Sequence, residues 1–185
     1  MTDNDLFELL ISTLNEQLAT WNFATPPGPI AVQQKEQPVK QGIPTSQAIY
    51  LEKLFDHIYG SPAVSYSDSP TPNMVVQTED QVYTSTFQVS AFAIQKPGAS
   101  QLLPTASDLA NIARFILQRR VTIAKFKAKK VGILRVTDVR NPYFSDDRDR
   151  QEGTPSFDLV VTYVRTAAVT VDSIIGVESI IVQVP

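Results

Sequence analysis

The sequence predicts an α+β fold: a mixed, mostly antiparallel β-sheet with a long charged-tip hairpin, packed by an N-terminal helix and one central helix. Three patterns carry this. Leu6, Leu10, Leu14 and Leu18 recur at every fourth position, which places them on one face of a helix. Leu109, Ile112, Ala113, Ile116 and Leu117 form a second such stripe, opened by Thr105 and Asp108 at capping-box spacing. Phe157, Leu159, Val161 and Tyr163 alternate with Asp158, Val160, Thr162 and Val164, the period of two that turns one face of a strand toward a core.

The chain of 185 residues is 43% apolar, enough for one sizeable domain with appended arms. The expected organisation is a single domain, 1–185, built as an N-terminal helix (1–21), a proline-rich linker or arm (22–46), an α+β core (47–165) and a C-terminal strand or arm (166–185). There is no apolar run near the ~20 residues a membrane helix needs, and the acidic N-terminus lacks the features of a signal peptide. A soluble, cytosolic product is expected. With no cysteine, disulfides, zinc knuckles and thiol nucleophiles are excluded.

The net charge of −3 hides an asymmetry, because residues 1–108 hold 11 acids and 4 bases (−7) and residues 109–185 hold 8 acids and 12 bases (+4). Such polarity orients successive copies of a subunit through complementary potentials, or reflects pairing within one copy.

In chain order, the first helix spans residues 3–21, with Thr2 and Asp5 as a capping pair and Phe7, Ile11 and Trp21 beside the leucine stripe. From Asn22 to Ser46 five prolines and two glycines break regular structure; only a short strand near Ile30–Gln33 is compatible. Residues 47–59 fit both periods and are read as a strand over about Ala48–Leu54, ending in a turn into Gly60-Ser61-Pro62. A loop is expected over 61–73, where Pro62, Pro70 and Pro72 stand among serines. Met74–Gln95 is strand-like, with Tyr83, Phe87, Val89, Ala91 and Ala93 on one face.

Within and beyond the central helix, Arg114, Arg119, Arg120, Lys125, Lys127, Lys129 and Lys130 accumulate without an acid between Leu109 and Thr137. Helix electrostatics accounts for part of this. A nucleic-acid surface is the sharper reading, opposed by the acidic chain and the lack of an aromatic stacking platform.

The hairpin runs from Val131 to Val164. In its connecting loop Tyr143 and Phe144 precede Asp146, Asp147, Arg148, Asp149 and Arg150. Aromatic anchors beside paired charges suit a protein contact, and a solvated, internally paired loop fits equally. A calcium site is disfavoured, because the acids lack EF-hand spacing and the arginines repel a cation. Finally, AVTV and VESIIVQV in the tail read as strand that completes the sheet or pairs with a neighbour.

His57 is the only histidine; a hydrolase would need it beside Ser61 or Ser65, and no nucleophile-elbow motif accompanies it. No catalytic, cofactor or metal site is expected.

Three stretches, TEDQVYTSTFQVSAFAI, PTASDLANIARFIL and GILRVTDVRNPYFSDDRDRQEGTPSFDLVVTY, together resemble the neck or tail-terminator proteins of contractile-tailed bacteriophages, also called gateway proteins. The resemblance spans roughly residues 48–165. It implies a hexameric ring in the virion, assembled in the host cytoplasm, that ends the tail tube and joins it to the head-side connector while leaving a DNA channel. Its implied partners are itself, tail tube and sheath proteins, a collar or connector protein, and DNA passing without sequence-specific binding. The best contact candidates are then Tyr143, Phe144, Asp146, Asp147, Arg148, Asp149 and Arg150 with Arg119, Arg120, Lys125 and Lys127. A head-completion or connector ring is the alternative neck position, and a nucleic-acid-binding module the alternative class.

Overall fold

A computed structural model of the chain describes residues 1–23, 28–35, 47–93, 103–145 and 151–173. The expectations for residues 36–46, for the loop acids and arginines 146–150 and for the VESIIVQV strand fall outside them.

Helix α1, Asp3–Ala19, starts at the capping pair: Thr2 Oγ1 accepts from the Asp5 amide and Asp5 accepts from the Thr2 amide, which satisfies two of the donors left open at a helix start. Its leucine stripe is buried, with Leu10 and Leu14 fully inaccessible. Strand β1 (Ala31–Gln34) runs parallel to β2 (Ala48–Asp68), which is antiparallel to β3 (Met74–Phe92). Helices α2 (Ala106–Gln118) and α3 (Arg120–Ala128) precede β4 (Val131–Val136), and β7 (Ser156–Asp172) closes the sheet in the order β1-β2-β3-β7-β4. Two short strands, β5 (Tyr143–Ser145) and β6 (Gln151–Gly153), pair with each other in the β4–β7 connection.

The α+β class holds, and the helices cover one face of the sheet's inner half. Phe157, Leu159 and Val161 of β7 and Phe87, Val89 and Ala91 of β3 are fully buried there, and the Phe7 ring meets Phe87 edge-on at 5.3 Å. Burying a phenylalanine this completely contributes roughly 1.5–3 kcal/mol, so this contact helps fix α1 to the sheet.

Three expectations are corrected. The central helix is two helices: Arg119 is extended (φ −67°, ψ 143°), and Thr122 Oγ1, buried, donates at 2.6 Å to the Ile116 carbonyl, which also accepts the Arg119 amide at 3.2 Å. The strand near Ala48 does not stop at Gly60-Ser61-Pro62; it runs 21 residues to Asp68. Residues 61–68 are therefore strand rather than loop, and the turn is confined to the Pro70–Asn73 region, where Asn73 takes the left-handed conformation (φ 62°) that asparagine tolerates.

Candidate functional site

Among the described residues, helices cover only the inner half of the sheet. Beyond Asp56 in β2 and Arg165 in β7 the strands continue without helices, and β2, β3 and β7 form a three-stranded arm. Its β7 segment, 164–172, measures about 30 Å at strand rise. Residues 57–68 of β2 and 166–170 of β7 are exposed, including Tyr66 at 66%, Val169 at 55% and Val64 at 49%.

A polar cluster anchors the arm's base. Lys53 Nζ lies 2.8 Å from Asp3 and 2.6 Å from Asp56, Ser85 Oγ donates to Asp56, and Arg165 reaches Asp3 at 2.8 Å and the Tyr163 hydroxyl at 3.1 Å. The Arg165 guanidinium also lies over the Tyr83 ring, 4.6 Å from its centroid. Burial works to raise the Asp56 carboxyl and to lower the Lys53 ammonium. The hydrogen bonds and opposite charges outweigh burial in both cases, holding Asp56 below the usual carboxylate range and Lys53 above the usual ammonium range.

The sequence break at Gly60 is a bulge. Tyr59 faces Val82 and Ala63 faces Asp80, so Gly60, Ser61 and Pro62 stand opposite Gln81 alone. Gly60 supplies a positive φ of 63°, and Pro62 needs no ladder donor on an outer strand. The Gln81 side-chain amide donates to the Tyr59 carbonyl at 2.6 Å, replacing a ladder bond.

The arm's two faces differ. Register puts Val64, Tyr66, Gln77, Glu79 and Val169 on one, and Ala63, Ser65, Thr78, Asp80, Thr166 and Ala168 on the other. The second face continues the side of the sheet opposite the helices, where Thr84, Thr86 and Thr162 stand.

Its edges are open among the described residues. β1 pairs with β2 only over Ala48–Leu51, and β4 pairs with β7 only over Leu159–Tyr163. From Glu52 to Asp68 and from Val164 to Asp172 each outer strand has β3 as its one neighbour.

The sequence-predicted contact residues divide. Arg119 donates to Gln17 at 2.7 Å and Lys125 pairs with Glu16 at 2.6 Å, so both tie α3 to α1. Arg120 and Lys127 are exposed, and with Lys129, Lys130 and Arg135 they have no ion pair among the described residues; all belong to α3, its exit turn and β4. Tyr143 and Phe144 lie in β5, and Asp146, Asp147, Arg148, Asp149 and Arg150 follow outside the described residues. His57 meets Tyr59 edge-on at 4.9 Å. The ladder sets it opposite Thr84 and sets Ser65 opposite Thr78, about 20 Å away along the strand, which separates that pair far beyond hydrogen-bonding reach.

The arm's outer half was missed in the sequence, although one signal was there: residues 58–67 carry no Asp, Glu, Lys or Arg, unusual for a stretch taken as a surface loop.

Among the described residues the fold presents a projecting β-arm with open edges beside a cation-rich flank, a shape suited to a structural subunit. The chain belongs to the gateway-protein family of the phage neck: the family's model, described as E217 gateway protein gp29, matches residues 5–173. It is thus a structural component of the virion. No curated protein matches the chain.

Proposed function

We propose that this gateway protein forms a hexameric ring that ends the tail tube and joins it to the head-side connector, leaving a channel through which DNA passes without sequence-specific contacts. The family match over residues 5–173 carries the reading. The geometry supports it, since a ring requires two different surfaces on each subunit that meet head to tail, and the sheet offers different flanks at β1–β2 and at β4. Tail tube, sheath and collar or connector proteins are the partners on this reading. Tyr143–Arg150, Arg120 and Lys127 are the contact residues to test, while Arg119 and Lys125 support the same surface from within.

Light scattering at several concentrations, followed by negative-stain imaging, tests it. A species of roughly 122 kDa, six times the 20.4 kDa chain, seen end-on as a closed ring that binds purified tail tubes, is the expected result. A ring that binds connector but not tubes would move the protein to the head-side position, and an unassociated chain that ignores both would overturn the proposal.

A further inference from the structure

We propose that the arm's two open edges pair with each other between copies: the β2 edge (52–68) of one copy adds in parallel to the β7 edge (164–172) of the next. The arms then close a continuous β-barrel about the ring axis. This rests on the ring reading above and names the contact that would close it.

An open strand edge leaves alternate backbone donors and acceptors unpaired, and proteins that keep such edges free blunt them with charges, prolines or covering segments. Here the protection is sparse. Residues 58–67 of β2 and 166–171 of β7 carry no charged side chain, and Pro62 is confined to the bulge. Exposed Tyr66, Val64 and Val169 add apolar surface that strand addition would cover from the side.

Strand direction selects the partner. β2 and β7 are each antiparallel to β3, so they run the same way. A rotation about an axis along the arms leaves that direction unchanged, and it brings β2 of one copy beside β7 of the next as a parallel pair. A two-fold axis across the arms would instead pair β2 with β2, or β7 with β7, antiparallel, which satisfies one edge and leaves the other open. With a single kind of contact, only the heterologous pairing uses both edges of every copy.

The size is compatible with a conduit. Six copies contribute roughly eighteen strands, a number at which β-barrels enclose an aqueous channel. With strands ~4.8 Å apart and tilted by ~40°, the barrel backbone is about 35 Å across.

The chain has no cysteine, so engineered cysteines report the contact without background. Ser65→Cys is combined in turn with Thr166→Cys, Ala168→Cys and Thr170→Cys, which share one face of the arm and sample neighbouring registers. Within one copy β3 lies between these positions, so a disulfide requires two copies. Oxidation of the assembled protein is expected to give a ladder of linked chains up to the ring size for at least one pair. Ser65→Cys alone and Ala168→Cys alone should remain unlinked. Rings that form by light scattering and imaging, yet cross-link with none of the pairs, would overturn the edge pairing and leave the ring reading intact. Dimers from either single variant would overturn it in favour of two-fold pairing. A chain that stays monomeric and unlinked at all concentrations and with tail tubes added would overturn both. Half of the β2 amides in residues 57–67 bond to β3 and are protected in any case; slow exchange of the alternate amides, which point away from β3, in a monomeric preparation would mean that the chain's own residues already cover the edge, and would overturn the pairing as well.

Discussion

Lys53 and Asp56 form an ion pair at 2.6 Å across the bulge at Leu54, where the β2 register against β3 shifts. The same ammonium holds Asp3 of α1 at 2.8 Å, so one lysine links the helix layer to the strand that becomes the arm. The Asp56 carboxyl is held low in the folded protein, burial notwithstanding. Its contribution to stability is therefore complete above the unfolded-chain value, about 4, and is lost as pH falls through the lower folded value. Lys53 is held high; its contribution is complete below about 10.4 and is lost as pH rises through the folded value. Urea unfolding should give a plateau between those limits. Asp56→Asn should lower stability by about 1–2 kcal/mol at neutral pH and flatten the acid limb; an acid limb unchanged from the parent would show that other carboxylates set it.

Arg165 works at the same junction by a different route. Its guanidinium lies over Tyr83 and donates to Asp3 and to the Tyr163 hydroxyl, joining β7, β3 and α1 where the helix cover ends. Arg165→Ala should cost about 1–2 kcal/mol, as expected for a partly exposed cation–π contact with charge-assisted hydrogen bonds. Arg165→Lys should recover less than half, because an ammonium cannot stack and fork at once. Thermal unfolding of the three proteins checks the order, and amide exchange should quicken in residues 164–172 first.

The bulge gives the arm its own signature. Gly60 has φ 63° with open space around it, so Gly60→Ala meets no clash and carries only the backbone penalty, about 1–2 kcal/mol. Gln81→Ala removes the amide that serves the Tyr59 carbonyl and should cost about 1 kcal/mol. Both variants should speed amide exchange in residues 58–68 and leave the α1 and α2 amides unchanged. Exchange that rises evenly over the whole chain would contradict the separation of arm from core.

These positions explain what the sequence could disclose. Phe157, Leu159, Val161 and Tyr163 alternate because one face of β7 is buried and the other is not, and the two capping pairs are local chemistry between residues three apart. Both are written in short windows. Residues 57–68 show no clean alternation because both of their faces are exposed; the strand there is held by the β3 ladder, and hydrophobic period reports burial rather than pairing. Gly60 and Pro62 then mimic a chain break, although a bulge accommodates both. The helix break at Arg119 has no glycine or proline to mark it; it depends on Thr122 reaching Ile116 and on Arg119 reaching Gln17, a contact across 102 residues of chain. Of the proposed contact cluster, the concentration of charge was legible, but its division into residues that hold α1 and residues that remain exposed was not.

That division can be separated by experiment. Arg120 and Lys127 are exposed without an ion pair among the described residues, so Arg120→Ala with Lys127→Ala should leave the unfolding free energy within about 0.5 kcal/mol of the parent. Lys125 pairs with Glu16 and Arg119 with Gln17, so Arg119→Ala with Lys125→Ala should lose about 1–2 kcal/mol through two broken contacts to α1. If this flank is an assembly surface, the first variant should still impair ring formation despite its intact stability, and the defect should narrow as ionic strength rises and weakens the parent's electrostatic contacts. Light scattering across a salt series, beside urea unfolding of the same samples, reads both quantities. Parent-like assembly by the Arg120 and Lys127 variant at every salt concentration would remove this flank from the contact.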